Sequence, residues 1–120
     1  MPYWGAKPDQ NDYAFDHVGA YIHRIKDQMM KGIATVLEKA YPEQSIVASL
    51  ACLRAIGERF PKNLAVSFDE DDFLFAKKSF MEWYEKVKLK LPSKYRDAIL
   101  EEANKEFALF EERILRVKNE

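Results

Sequence analysis

Apolar residues recur every three or four positions along most of the chain, which is the spacing of one face of an α-helix. The first such segment is predicted to begin at Asn11 and Asp12, which are favoured N-caps, and to end near Ala40. Pro42 stops it, because the residue before a proline avoids the α-helical region. Its apolar stripe is Phe15, Val18, Ile22, Ile25, Met29, Ile33, Val36 and Ala40.

Three further helices are predicted from the same spacing. The second begins at Pro42 or Ser45 and ends before Pro61, and the link 61–66 is expected to be irregular. The third begins at a capping box, Ser67 with Glu70, and runs to about Leu91. Ser93 is the expected cap of the fourth. The predicted core positions are Ile46, Leu50, Leu53, Ile56 or Gly57 and Phe60, then Phe73, Ala76, Phe80, Trp83 or Tyr84 and Val87, then Tyr95, Ile99, Ala103, Phe107, Phe110, Ile114 and Val117.

This pattern predicts an all-α fold. No segment alternates apolar and polar residues with a period of two, so no β-sheet is expected. Long helices with short connections pack as antiparallel neighbours, and 120 residues are enough for one domain. We therefore expect residues 1–120 to form a single, four-helix bundle-like domain.

The segment before the first helix is predicted to be ordered and packed on the bundle. It places an aromatic anchor, Trp4, before a turn residue, Gly5, and a rigid Pro8. A tryptophan this early in a chain is most simply explained if its ring packs back on the helices.

The spacing Trp4-Gly5-x-x-Pro8-x-x-Asn11-Asp12-x-Ala14-x-Asp16 resembles the opening signature of a family of small proteins, the domain-of-unknown-function family 4259. A weaker similarity continues through the alanine-rich segment 49–55, and Lys7 stands where the family usually has glycine. The resemblance implies a small, mainly helical, cytosolic domain. It implies no particular activity and no catalytic residues.

The charge and composition of the chain exclude several classes of partner and site. Nineteen Lys and Arg against twenty Asp and Glu give a net charge of −1, so neither a nucleic-acid partner nor an anionic membrane is expected. The one cysteine, Cys52, lies among apolar residues and is predicted to be a buried, inert thiol. No cofactor is predicted. The first residues lack the apolar run of a signal peptide, so a cytoplasmic protein is expected.

One alternative is a metal-dependent enzyme or ligand-binding domain. Asp12, Asp16, His23 and Asp27 fall within about 60° of one another on the first helix, and side chains one turn apart can share a divalent cation. However, this arc points away from the apolar face, whereas metal sites in bundles face inward and take ligands from several helices. We therefore predict no metal, and an enzyme is the less favoured class.

The favoured interpretation is a non-catalytic module that binds a protein partner or forms a homodimer. The N-terminal region carries aromatic residues of the types enriched at interfaces, including Tyr13, and the acidic run 69–72 could meet a basic partner. An immunity-type protein, which masks the active surface of a toxin, is one version of this prediction. The predicted partner-binding residues are Tyr3, Trp4, Asp12, Asp16, Asp69, Glu70, Asp71 and Asp72.

Overall fold

A computed structural model describes residues 4–6, 11–39 and 45–116. Within these ranges the all-α prediction is confirmed: the elements are helical and there is no β-strand. The helices are α1 (Asp12–Lys39), α2 (Ser45–Arg59), α3 (Pro61–Ser67), α4 (Glu70–Val87) and α5 (Ser93–Phe110). A 3₁₀ turn, Lys88–Lys90, extends α4, and a π-helical turn, Glu111–Leu115, extends α5.

The four long helices correspond to the four predicted ones, and α3 is an addition. The expectation that the link 61–66 is irregular is wrong, because Pro61 starts a new helix as well as ending α2. A proline suits the first helical position, where its missing N–H would have no partner.

Two of the three predicted caps are also wrong. Asp69, not Ser67, caps α4, since Ser67 is the last residue of α3 and lies buried. Ser93 is the first residue of α5 and makes no capping hydrogen bond. The cap predicted for α1 is confirmed, because Asn11 Oδ1 accepts a hydrogen bond of 2.8 Å from the Ala14 amide.

The core consists largely of the predicted stripes, with a stack of aromatic rings between α4 and α5. Phe73 stacks on Phe110 with ring centroids 5.0 Å apart, and Phe80 meets Phe107 edge to face at 5.7 Å. Among the side chains that the structure describes, the buried apolar ones are Ile22, Met29, Ile33, Ile46, Leu50, Leu53, Leu64, Phe68, Phe73, Ala76, Phe80, Trp83, Tyr84, Val87, Leu91, Ala103, Phe107 and Phe110. Each buried aromatic ring removes a large apolar area from water, so this stack is a major source of stability.

Two core predictions fail. Tyr95 is exposed, because Arg96 is the residue of the first turn of α5 that reaches the end of α4, where it donates hydrogen bonds to the carbonyl oxygens of Lys88 and Leu91. Cys52 is also exposed, since it lies on the opposite side of α2 from the buried Leu50. The predicted positions Ala40 and Val117 lie outside the described residues, and so does the side chain of the predicted position Val36.

Charged side chains tie α2 to α5. Arg54 donates two hydrogen bonds to the Glu106 carboxylate, at 2.7 and 3.0 Å, and both side chains are largely buried. These hydrogen bonds raise the pKa of the Arg54 guanidinium above its usual value. Glu58 lies between two arginines, 3.6 Å from Arg54 and 3.3 Å from Arg113.

The short α3 lies alongside α1 and runs in the same direction. Asn63 Nδ2 donates to the Phe15 carbonyl oxygen at 2.7 Å, and Ser67 Oγ lies 3.3 Å from His23 Nε2. Lys26 Nζ then reaches both the Ser67 carbonyl oxygen and Asp72 Oδ2, at 3.1 and 3.0 Å. Contacts at three positions along α1, Phe15, His23 and Lys26, therefore fix the position of α3 and the start of α4.

Candidate functional site

Trp4 is held against the beginning of α1. Its ring meets Phe15 edge to face, with centroids 6.0 Å apart, and its Nε1 donates to Asp12 Oδ1 at 3.3 Å. Lys62, in the first turn of α3, places its ammonium 5.2 Å from the centre of the same ring. The ring remains 42% exposed, so it joins α1 to α3 and still presents a face to solvent.

Three aromatic side chains follow one another on the solvent side of α1, and we refer to Tyr13, His17 and Tyr21 as the α1 aromatic ladder. Tyr13 and His17 are stacked, with ring centroids 6.3 Å apart and planes within 7°. His17 meets Tyr21 edge to face at 5.0 Å, and His17 Nε2 is hydrogen bonded to the Tyr21 hydroxyl at 3.2 Å. Residues four apart are neighbours on a helix surface, which explains the continuous contact.

The ladder is accessible to solvent along its length. Tyr13 is 68% exposed and Tyr21 is 48% exposed, and His17 between them is also exposed. Because each ring packs against the next, neighbouring rings restrict one another's rotation. An ordered surface loses less conformational entropy on binding than a flexible one.

Two carboxylates accompany the ladder. Asp16 is exposed and follows Tyr13 by three residues, so the two side chains are neighbours on the helix surface. Asp12 is also exposed, although one of its oxygens accepts the hydrogen bond from Trp4. The N-terminal half of α1 therefore presents aromatic rings beside negative charge.

Two residues of the acidic run 69–72 cap the start of α4, and the other two are exposed and lie outside the cap. The Asp69 carboxylate accepts a hydrogen bond of 2.9 Å from the Asp72 amide, and the Asp72 carboxylate accepts one of 3.0 Å from the Asp69 amide. Asp72 also pairs with Lys26. This reciprocal cap satisfies backbone donors that have no partner inside the helix. Glu70 and Asp71 are exposed in the first turn.

The structure separates the two groups of predicted partner-binding residues. Asp72 pairs with Lys26, which lies ten residues beyond Asp16 on α1, or about 15 Å along the helix axis. Trp4, Asp12 and Asp16 form one region at the start of α1, and the acidic run forms another. The predicted residue Tyr3 lies outside the described residues.

The structure does not assemble the predicted Asp and His stripe into a metal site. Across residues 4–6, 11–39 and 45–116, no three His, Cys, Asp or Glu side chains are placed to hold a metal ion together. Asp12 instead accepts a hydrogen bond from Trp4, and His23 is hydrogen bonded to Ser67.

Sequence reasoning identified Tyr13 but missed His17 and Tyr21 as parts of the same surface. The signal was present in the sequence, because aromatic residues at positions i, i+4 and i+8 of a helix lie in one row. The apolar stripe and the carboxylates of α1 are more prominent patterns, and they obscured this row.

Comparison with protein-family models, with curated proteins and with solved structures found no match to this chain. The resemblance of the N-terminal motif to family 4259 therefore stays a prediction. Within the part of the chain that the structure describes, no helix combines the length and the apolar character needed to cross a membrane.

Proposed function

We propose that the protein is a non-catalytic binding module, and that the α1 aromatic ladder, together with Asp12 and Asp16, forms its contact surface for a protein partner. The exposure of Tyr13 and Tyr21 carries this proposal. Tyrosine rings bury a large area with few rotatable bonds, and for that reason they are enriched at protein interfaces. The rings of the ladder provide an apolar contact area on successive turns of the helix, and the neighbouring carboxylates add negative charge to the same surface.

The partner that fits this surface presents arginine or lysine side chains. A guanidinium group stacks on a tyrosine ring and pairs with a carboxylate, and Asp16 lies next to Tyr13 on the helix surface. Successive turns of α1 are about 5.4 Å apart, which matches side chains on successive turns of a partner helix. An immunity-type protein that masks the cationic active surface of a toxin is one version of this proposal.

A peptide selection tests the proposed surface with probes of defined chemistry. A randomised library of helical peptides is selected on the wild-type protein alone, and the affinities of the selected peptides, the winners, are then measured for the wild type and for the Tyr13→Ser/Tyr21→Ser double variant. The expected winners carry arginine at a spacing of three or four residues. Their affinity for the double variant should fall about 5- to 30-fold, because tyrosines that anchor an interface contribute about 1–2 kcal/mol.

Tyr95→Ser is the matched control, since Tyr95 is an exposed tyrosine on α5 with a lysine over its ring. It should leave peptide affinity unchanged. Winners without arginine, or winners that bind the double variant as well as the wild type, would contradict the proposal. Sedimentation equilibrium of the protein alone separates it from self-association: a dimer that the double variant dissociates would make a second copy the partner instead.

A further inference from the structure

A cavity of about 220 Å³ lies where the end of α2, the helix α3 and the π-helical turn meet. Leu64, Ala65 and Phe68 line it from α3 and the residue that follows, and Ile114 lines it from the π-helical turn. It lies on neither the α1 aromatic ladder nor the acidic run. The function proposed above makes no use of it.

Two backbone features shape this cavity. Gly57 is buried in α2, and a Cβ atom there would collide with the Leu64 side chain and lie 3.0 Å from Ile114 Cδ1. The absence of a side chain therefore lets α2 approach both neighbours closely. On the other side, α5 widens into a π-helical turn over Glu111–Leu115. Such turns are rare and occur frequently at functional sites.

The size of the cavity indicates the size of its ligand. A dry cavity of about 150 Å³ lined by Leu, Ile and Phe holds a benzene molecule. A volume of about 220 Å³ therefore accommodates one aromatic ring with a short substituent. The walls are apolar, as ligand pockets generally are, and the lining includes one charged residue, Arg113.

Arg113 indicates the charge of that substituent. Its Nη1 lies 3.3 Å from Glu58 Oε1, and about half of its side chain is exposed, so its pairing with Glu58 is weak. A ligand carboxylate can replace Glu58 as the partner of Arg113. Glu58 would then keep Arg54, 3.6 Å away, and no carboxylate would be left without a cation.

We propose that this cavity binds a small aromatic monocarboxylate, whose ring occupies the apolar space and whose carboxylate pairs with Arg113. The ring contacts Leu64, Phe68 and Ile114, and the guanidinium sets the preference for an anion over a neutral molecule of the same shape.

Methyl NMR titration tests the proposal with two probes, phenylacetate and the neutral benzyl alcohol. Phenylacetate should produce saturable shifts at the Leu64 and Ile114 methyl groups at millimolar concentrations and should bind more tightly than benzyl alcohol. Arg113→Met should weaken phenylacetate about fivefold, as expected for one exposed charge pair, and leave benzyl alcohol unchanged.

Ala65→Leu fills the cavity and should abolish binding of both probes. Ala98→Leu is the matched control, because it makes the same change at an exposed position of α5 and should leave binding intact. Thermal unfolding verifies that each variant is folded, and Leu115→Phe provides a second filling variant from the opposite wall. Absence of saturable methyl shifts in the wild type would overturn the site. An Arg113→Met variant that binds both probes as the wild type does would overturn the assignment of a carboxylate ligand.

Discussion

Arg54 and Glu106 form a bidentate ion pair between α2 and α5, with nitrogen to oxygen distances of 2.7 and 3.0 Å. Glu106 is the more buried partner, with its side chain 9% exposed against 19% for Arg54. Removing the arginine is therefore expected to lower the free energy of unfolding, because it leaves the nearly buried Glu106 carboxylate without its cation.

Arg54→Met is expected to lower the free energy of unfolding by about 2–4 kcal/mol, because breaking a buried pair leaves an uncompensated charge. The double variant Arg54→Met/Glu106→Leu should recover most of this loss, since an apolar pair of similar volume needs no solvation. Urea denaturation of the wild type, both single variants and the double variant measures the four stabilities. A double variant no more stable than Arg54→Met would show that the pair is not the source of the effect.

Gly57→Ala is expected to destabilise the protein by about 2 kcal/mol or more, although alanine is normally the better helix former by about 1 kcal/mol. The reason is steric, since the added methyl group meets Leu64 and Ile114. Gly19→Ala is the control, because the nearest atom, Asn63 Nδ2, lies 4.0 Å from the position of its Cβ. That substitution should stabilise the protein by about 0.5–1 kcal/mol. Thermal unfolding of both variants should therefore shift in opposite directions.

Asp69→Ala is expected to cost about 1 kcal/mol of stability, because it removes the side-chain cap of α4. Asp71→Ala, two residues later, should change stability by less than about 0.5 kcal/mol, since its exposed carboxylate lies outside the cap. Denaturation curves give the free energy of unfolding of each variant. The two variants are matched in charge, because each loses one acidic residue at the start of α4. Equal losses would mean that general charge at the helix start, and not the cap, stabilises α4.

Trp4→Phe is expected to remove nearly all quenching of tryptophan fluorescence by acrylamide. The chain has two tryptophans, and Trp83 is fully buried whereas Trp4 is 42% exposed. The remaining emission should be blue-shifted, as is typical of an apolar environment. Trp4→Ala should cost about 1–2 kcal/mol, less than the 3–5 kcal/mol of a fully buried ring. Quenching that persists in Trp4→Phe would place Trp83 within reach of solvent.

The long helices could be predicted from the sequence because burial along them follows a regular period. Ile22, Met29 and Ile33 repeat at helical spacing and lie buried in α1. The short α3 could not be predicted this way, since seven residues hold too few repeats, and Pro61 was interpreted only as an end signal. The cap of α4 could not be assigned from the pattern alone, because Ser67 with Glu70 and Asp69 with Asp72 have the same spacing. Ser67 is excluded only by its place as the last residue of α3.

The candidate surface was predicted in part. Trp4 and Asp12 lie together at the start of α1, because the Trp4 ring donates a hydrogen bond to the Asp12 carboxylate, and Asp16 follows Asp12 one turn further along the helix. Asp69 and Asp72 lie elsewhere, and each makes a contact that only the folded backbone reveals. The pairing of Lys62 with Trp4 depends on α3, which the sequence did not predict.

The side-by-side placement of α1 and α3 also constrains how the chain folds during synthesis. Phe15, His23 and Lys26 find their partners 48, 44 and 46 residues further along the chain. When α1 emerges from the ribosome, those partners are still to be translated, so these three polar contacts form only after synthesis has passed Asp72, whereas α2, the next helix in the chain, is made earlier.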